Sequence, residues 1–242
     1  MNFLSEAQAL EGEMRAFFED LHRHPEPSHF ENRTNQRVRE QLRAHQIDML
    51  CPKDNITIAV IRGAKPGRTV GLRFDTDALQ MQELCDVPYK SETDGLMHGC
   101  GHDGHMTILL LLARWIAKNR TRLHCNVVLL FQPGEEGWAG ARRMIDDGAL
   151  ENPRVDCVYG LHLWPTVPKG RIGIRWDYLM AQTSDFEITV HGKSAHASTP
   201  QMGIDAIVVA AELITMVQTV ITRDVDPHQD ALLTLGKIQG GT

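Results

Sequence analysis

The sequence predicts an α/β protein whose mixed sheet is mostly parallel and flanked by helices. Short apolar runs rich in β-branched residues alternate with segments of helical periodicity between residues 56 and 161. Polar side chains of the kinds that bind metals and protons follow several of these runs. Loops at the carboxyl ends of strands are where α/β proteins build their binding sites. The placement of the polar residues therefore favours a functional sheet edge.

The N-terminal segment is predicted to be helical. Ser5 followed by Gln8 indicates a capping box at a helix start. The apolar stripe that follows at helical spacing consists of Leu10, Met14, Phe17, Phe18 and Leu21. Pro25 and Pro27 end this helix, and a second helix is expected over residues 34–44.

The next segments alternate between strand and helix. Residues 56–61 and 70–74 predict two strands, with Gly63, Pro66 and Gly67 in the turn between them. The elements expected after them are a helix over 103–118, a strand over 126–131, a helix over 139–147 and a strand over 155–161. This alternation is typical of a sheet with parallel strands.

A change of pattern divides the chain into two expected domains, a catalytic domain over 1–178 and the start of a smaller α+β domain over 179–242. Residues 185–191 alternate apolar and polar side chains, as a half-buried strand does. A long helix over 203–222 and a strand over 231–238 are expected to follow.

Composition narrows the class of protein. The 242 residues are 42% hydrophobic and 23% charged, as in a soluble globular protein, and the net charge of −6 argues against nucleic acid or an anionic membrane as partner. No apolar run approaches the roughly 18–20 residues of a transmembrane helix. Glu6, Glu11 and Glu13 exclude the pattern of a signal peptide. Together with five cysteines lacking a framework spacing, these features favour a cytoplasmic protein with reduced thiols.

Residues 97–105 form the segment richest in metal-ligating side chains. Cys100, His102 and His105 place a thiolate and two imidazoles on a glycine-rich turn, and these are ligand types with a spacing that suits a metal. The alternative is a glycine-rich helix start with Asp103 as its N-cap and the histidines in solvent.

Two further groups of polar residues follow predicted strands. Glu135 and Glu136 lie after residues 126–131, where one carboxylate can bind a metal while the other acts as general base. A solvated turn is the alternative for such a pair. His162 follows residues 155–161, and a single histidine there is more often structural, although it would complete a set of Cys, His, Glu and His.

The chain resembles the metal-dependent amidohydrolases of the aminoacylase and carboxypeptidase group, specifically the branch that includes hippurate hydrolases and indole-acetyl-amino-acid hydrolases. The motifs that carry the resemblance are Leu-His-x-x-Pro-Glu from residue 21, Arg-x-Asp-x-Asp-Ala-Leu from 73, Met-His-x-Cys-Gly-His-Asp from 97, Phe-Gln-Pro-x-Glu-Glu from 131, Gly-Leu-His from 160, Gly-x-x-x-His-Ala from 192 and Gly-Ile-Asp from 203. They occur in the family's order, so a chance match is excluded.

The resemblance implies a site and a reaction. Cys100, His102, Glu136 and His162 would be the metal ligands. Glu135 would be the catalytic base, Asp77 would orient a residue beside the metal, and His196 would stabilise the oxyanion, usually across a homodimer. The implied cofactor is a pair of divalent ions, with zinc, manganese, cobalt and nickel all compatible with these ligands. The implied fold is a zinc-peptidase-like catalytic domain with an inserted dimerisation or lid domain.

The implied substrate is an N-acyl amino acid, cleaved to a carboxylic acid and an amino acid. Hippurate, acetyl-amino acids, indole-acetyl conjugates and aminobenzoyl-glutamate all remain open.

Family members extend beyond the point that corresponds to residue 242, so we expect the small domain to be incomplete and the catalytic domain to lack its C-terminal return segment. That segment normally supplies one more ligating histidine, and His228, in an Asp-Pro-His turn, does not replace it. Two alternatives therefore remain: an inactive homologue with partial metal binding, and a metallo-aminopeptidase or dipeptidase. The Cys-Gly-His segment argues against the peptidases, which use an aspartate-centred one.

Overall fold

The computed structural model describes residues 3–65, 67–137, 139–180 and 184–241, so Pro66 in the first predicted turn lies outside them. The chain divides into two compact units, Met1–Ile172 and Gly173–Thr242. The division falls six residues before the predicted boundary, from 178 to 172. The assignment of the units to a catalytic and a dimerisation domain stays a prediction.

The first unit contains a five-stranded mixed sheet with the strand order β1-β2-β4-β3-β5. The strands are β1 (Asp48–Lys53), β2 (Ile56–Ile61), β3 (Thr69–Asp75), β4 (Asn126–Gln132) and β5 (Cys157–Gly160). β1 and β2, and β2 and β4, pair antiparallel, whereas β3 pairs parallel with both β4 and β5. The predicted mixed α/β sheet is confirmed, and its parallel pairings join the three strands that the polar residues follow.

Helices cover both faces of this sheet. The helices of the first unit are α1 (Phe3–Ala9), α2 (Glu11–Arg23), α3 (Asn32–Ala44), α4 (His102–Lys118) and α5 (Gly140–Asp146). Successive residues of β4 point to opposite faces, as a strand requires. Leu129 and Phe131 pack in the core that contains α2, α3 and α4, while Val128 and Leu130 pack with Met144 of α5 on the other face. The central strands β2 and β4 are therefore buried on both faces, which explains their nearly continuous apolar side chains.

Two details at the N-terminal side differ from the sequence prediction. Ser5 lies inside α1, so it is not an N-cap, and the expected single helix is divided at Leu10. β1 was not predicted, because this exposed edge strand contains Pro52 and has no apolar alternation.

The second unit contains helix α6 (Ala206–Arg223), whose N-cap Asp205 accepts hydrogen bonds from the backbone N–H groups of Ile207 and Val208. Among residues 173–180 and 184–241 of this unit, the predicted strands 185–191 and 231–238 form no ladder, and Lys193 and Ile204 make an isolated bridge. Alternation predicts which face of a segment is apolar but supplies no partner strand, and a strand needs the hydrogen bonds of a partner.

Helix α6 is also apolar enough, by length and composition, to cross a membrane, with a mean hydropathy of 1.5 over its 18 residues. The expectation that no segment has this composition is therefore wrong for α6. The core helix of a water-soluble domain can have the same length and composition.

Candidate metal centre

The register of the sheet brings three strand ends together in the first unit. Asp75, the last residue of β3, lies opposite Gln132, the last residue of β4, and Arg73 lies opposite Gly160, the last residue of β5. Because these pairings are parallel, the loops that follow the three strands leave the sheet at the same edge. This edge carries most of the predicted site residues.

His102, the first residue of α4, is the centre of the cluster. Its imidazole is fully buried, and its Nδ1 lies 2.8 Å from the carbonyl oxygen of Asp77. Because a carbonyl oxygen only accepts, Nδ1 carries a proton, and Nε2 presents a lone pair when the ring is neutral. Nε2 has no hydrogen-bond partner among the described residues, and it lies 3.6 Å from an Asp75 carboxylate oxygen and 3.8 Å from Glu136 Oε1.

Cys100 and His162 lie beside His102. The Cys100 Sγ is 3.3 Å from His162 Nε2, and the His162 Nδ1 donates to the carbonyl oxygen of Leu163 at 2.7 Å. Ligand atoms of Cys100, His102 and His162 all lie within 4.8 Å of one another, and so do those of His102, Glu135 and Glu136. His102 belongs to both groups, so all four predicted ligands and the predicted base converge on it.

The Cys100 thiol lies in a negative environment. Burial, a hydrogen bond with Glu136 and the charges of Glu136, Glu135 and Asp75 raise the pKa of this thiol to about 12. A divalent cation beside the sulfur would reverse this electrostatic situation, because a coordinated thiol is deprotonated. Binding of such an ion would therefore be coupled to release of the thiol proton.

The turn that carries Glu135 and Glu136 is held by two buried carboxylates. Glu31, which is fully buried, accepts the backbone N–H of Gly134 at 2.7 Å. Asp77 Oδ2 accepts the backbone N–H of Glu136 at 2.9 Å. Both glutamate residues of the turn are exposed, and burial of part of the carboxyl group together with the charge of Glu136 raises the pKa of Glu135.

Asp77 contacts both His102 and the turn of Glu136, and its orienting role stays a prediction. Its Oδ2 also accepts from the Ser28 hydroxyl at 2.6 Å, and its Oδ1 lies 3.4 Å from His102 Nδ1. Asp77 thus contacts His102 through its backbone and the Glu136 turn through its carboxylate. Ser28 had not been singled out from the sequence, because nothing in a short turn marks one serine as a partner of a buried carboxylate.

Asp75 and His105 form a second buried pair. His105 Nδ1 lies 2.6 Å from Asp75 Oδ1, and Arg73 donates to Asp75 Oδ2 at 2.8 Å. Although burial raises it, the hydrogen bond with His105 and the charges of His102 and Arg73 lower the pKa of Asp75 to about 2. Asp75, His102 and His105 also have the composition of a metal site. Both ring nitrogens of His105 already have protein partners, however, so His105 is a poor ligand.

Asp103 is not the N-cap of α4, as the alternative interpretation of this segment proposed. The N-cap is Gly101, in the left-handed region at φ 81°, and Asp103 lies in the first turn. Its Oδ2 lies 2.6 Å from Nδ1 of the buried His22, and His22 Nε2 lies 3.3 Å from Glu83. Asp103 in the first turn of α4 is thus connected to His22 of α2 in a network that also includes Glu83.

The predicted oxyanion residue, His196, belongs to the second unit. It is exposed, and its Nδ1 lies 2.8 Å from the Ser198 hydroxyl. His228 is exposed in the same unit and pairs with Asp226 at 3.0 Å. The role of His196 stays a prediction.

The residues at the sheet edge fit a divalent metal. The fit rests on the buried, unpartnered Nε2 of His102 and on the Cys, His and Glu donors around it, a mixture that zinc and neighbouring transition metals bind. A buried nitrogen without a partner is costly, and an ion provides that partner. The fold and the site thus define a metal-binding α/β protein.

Comparison with known proteins is consistent with this class. The family described as "Peptidase family M20/M25/M40" matches residues 71–235, and the chain belongs to this family. It is 39% identical over 235 residues to an N-acetyl-L-cysteine deacetylase of Bacillus subtilis, covering 96% of this chain and 56% of that protein. It is 42% identical over 186 residues to an N-acetyldiaminopimelate deacetylase of Lactobacillus helveticus, covering 76% of this chain and 48% of that protein.

Two solved structures have a fold similar to that of this chain. The Bacillus subtilis YXEP protein, a dinuclear metal-binding peptidase of the M20 family, superposes with a TM-score of 0.67 at 36% identity over 69% of this chain and 47% of that one. A protein from methicillin-resistant Staphylococcus aureus superposes with a TM-score of 0.76 at 30% identity over 98% of this chain and 63% of its own. The chain spans about half to three fifths of the length of the two deacetylases.

Proposed function

We propose that the protein is a metal-dependent amidohydrolase that cleaves the amide bond of N-acyl amino acids. The observation that carries the proposal is the convergence of Cys100, His162, Glu135 and Glu136 on His102, whose buried Nε2 has no hydrogen-bond partner among the described residues. A structural cluster would satisfy that nitrogen with a protein donor or acceptor. A Cys, His and Glu set beside a free carboxylate is instead the arrangement that metal-assisted hydrolysis requires.

The proposed roles follow from the position of each side chain. Cys100, His102, His162 and Glu136 would hold the ions, two per site. Bound divalent ions would supply Lewis acidity, which polarises an amide carbonyl and makes water easier to deprotonate. Glu135 would accept the proton of the attacking water and then donate it to the leaving amine. Asp77 would keep His102 and the Glu136 turn in place. Its carbonyl oxygen lies 2.8 Å from His102 Nδ1, and its carboxylate accepts the backbone N–H of Glu136 at 2.9 Å.

His196 is proposed to stabilise the oxyanion in a dimer of this chain, by donating a hydrogen bond where negative charge develops. Its sequence context, Gly-x-x-x-His-Ala, supports this role. Replacement of His196 by glutamine is expected to lower kcat while leaving metal binding unchanged.

The proposed substrates are N-acetyl amino acids in the first place. The relatives that support this choice are the deacetylases of N-acetylcysteine and N-acetyldiaminopimelate. Larger acyl groups, such as the benzoyl group of hippurate or an indole-acetyl group, are the alternative that the same chemistry allows.

The test is amino-acid release by the purified 242-residue chain loaded with zinc or manganese. The panel contains N-acetyl, N-benzoyl and N-indole-acetyl amino acids together with dipeptides, and Glu135→Gln is the control. Release from N-acyl substrates that disappears in Glu135→Gln supports the proposal, and release from dipeptides alone would instead indicate a peptidase. Metal binding without turnover of any substrate would contradict the proposed activity and leave an inactive metal-binding homologue.

A further inference from the structure

Three hydrogen bonds, joined through the ring of His105 and the backbone of Leu163, connect Asp75 to Nδ1 of His162. His105 Nδ1 lies 2.6 Å from Asp75 Oδ1, and the backbone N–H of Leu163 donates to His105 Nε2 at 2.9 Å. The carbonyl oxygen of Leu163 then lies 2.7 Å from His162 Nδ1. Asp75 and His105 are both buried, so solvent does not compete for the first link of the chain.

The direction of each hydrogen bond is determined by its partners. The backbone N–H of Leu163 can only donate, so His105 Nε2 must present a lone pair, and His105 Nδ1 must carry the proton that goes to Asp75. The carbonyl oxygen of Leu163 can only accept, so His162 Nδ1 is protonated. This leaves the lone pair of His162 on Nε2, which faces the Cys100 sulfur at 3.3 Å.

Packing also holds His162 and Leu163 against the first turn of α4. A Cβ atom at Gly104 would lie 2.6 Å from Leu163 Cδ1, so the leucine side chain rests directly on the first turn of α4. The rings of His105 and His162 meet edge to face, with centroids 4.7 Å apart and an interplanar angle of 72°. Residues 162 and 163 therefore have contacts through backbone, side chain and ring to one helix turn.

We propose that His105 is a positioning residue that selects the tautomer and orientation of His162 through the backbone of Leu163, whose N–H it accepts, with Asp75 holding His105 in turn. The inference rests on the proposed metal centre, since the orientation of His162 matters for binding only when its Nε2 is a ligand. Partners that orient a ligating histidine typically change metal affinity about 10–100-fold when they are removed.

The first test needs no metal. Imidazole ¹⁵N NMR of the metal-free 242-residue chain, with His162 assigned from the signal lost in His162→Gln, is expected to show the proton on Nδ1. His105→Phe keeps a ring of similar size but removes both hydrogen bonds, and is expected to shift His162 toward the Nε2-protonated form. His105→Gln restores one acceptor and one donor, and is expected to retain the Nδ1 proton. A proton on Nε2 of His162 in the unmodified chain would overturn the proposal.

The second test separates positioning from a general effect on the fold. Zinc affinity, measured by chelator competition, is expected to fall about 10–100-fold in His105→Phe and to be largely rescued in His105→Gln. In a His162→Ala background the His105→Phe change is expected to have no further effect, because the two residues act as one unit. An equal loss in both backgrounds would show that His105 acts through the fold and would overturn the proposal. Neither test measures hydrolysis, so a failure of the proposed amidohydrolase activity would be seen separately.

Discussion

The Nδ1 of His102 lies 2.8 Å from the carbonyl oxygen of Asp77, and this contact turns the other ring nitrogen toward the loops that follow β4 and β5. His102 belongs to every group of potential metal ligands found among the described residues. Replacement of His102 by glutamine is therefore expected to lower zinc affinity by more than the roughly 100-fold that loss of an outer partner costs. Isothermal titration with zinc measures this, with His228→Gln as the control. Equal affinities for the two variants would contradict the assignment of His102.

Glu31 is expected to stabilise the turn that carries Glu135, the proposed general base. Its carboxylate accepts N–H groups from His29, Asn55 and Gly134. Glu31→Gln places an amide donor against these donors, and is expected to lower the free energy of unfolding by about 1–3 kcal/mol. Urea denaturation measures the change, and the matched variant Glu11→Gln, in an exposed i,i+4 pair with Arg15, is expected to change it by less than about 1 kcal/mol. Similar effects of the two substitutions would show that Glu31 has no special role.

Alanine substitutions at two glycines, Gly140 and Gly12, are expected to change the stability of the protein in opposite directions. A Cβ atom on Gly140 would lie 1.7 Å from the carbonyl oxygen of Pro133, so Gly140→Ala must displace the turn before Glu135. This change is expected to cost about 1–3 kcal/mol of stability and to weaken metal binding. Gly12, in α2, has open space at its Cβ position, so Gly12→Ala is expected to stabilise the protein by about 0.5–1 kcal/mol. Thermal unfolding of both variants tests this, and a stabilised Gly140→Ala protein would refute the close packing.

The ion-pair network of His22 is expected to make stability depend on pH. The hydrogen bond with Asp103, opposed by burial and assisted by Glu83, raises the pKa of His22 above 6.5. A histidine whose folded pKa is raised contributes stability that is complete below its unfolded pKa and is lost as the pH rises through its folded pKa. The difference in unfolding free energy between the unmodified chain and His22→Gln is therefore expected to be larger at about pH 6 than at about pH 9. A difference in unfolding free energy that does not change with pH would mean that protonation of His22 contributes nothing to stability.

Strong periodicity and side-chain type allowed much of the first unit to be predicted. The apolar runs at 56–61, 70–74 and 126–131 correspond to β2, β3 and β4 within one residue, because strands buried on both faces need continuous apolar side chains. The position of the candidate site was also predictable, because the polar residues that directly follow parallel strands lie at the same edge of the sheet.

Other features depend on partners that a local pattern does not specify. Edge strand β1 has Pro52 and exposed side chains, so nothing but its pairing with β2 makes it a strand. The segments 185–191 and 231–238 show the reverse, since their alternation is clear but no ladder forms in the described part of the second unit. The connection from His105 to His162 was also not predictable, because it passes through the backbone of Leu163, and a backbone group carries no sequence information.

Strand β5 has four residues, three of them exposed, and it forms its ladder with β3 at the edge of the sheet. His162 follows two residues later, so it can lie beside Cys100 only while β5 stays paired. Edge strands of this kind open locally without unfolding the rest of a domain. An ion that binds only the closed form stabilises it by mass action. Metal binding is thus expected to slow amide hydrogen exchange at the residues of β5 while leaving the central strand β4 unaffected, so the ion that is proposed for catalysis would also determine how often this edge of the sheet opens.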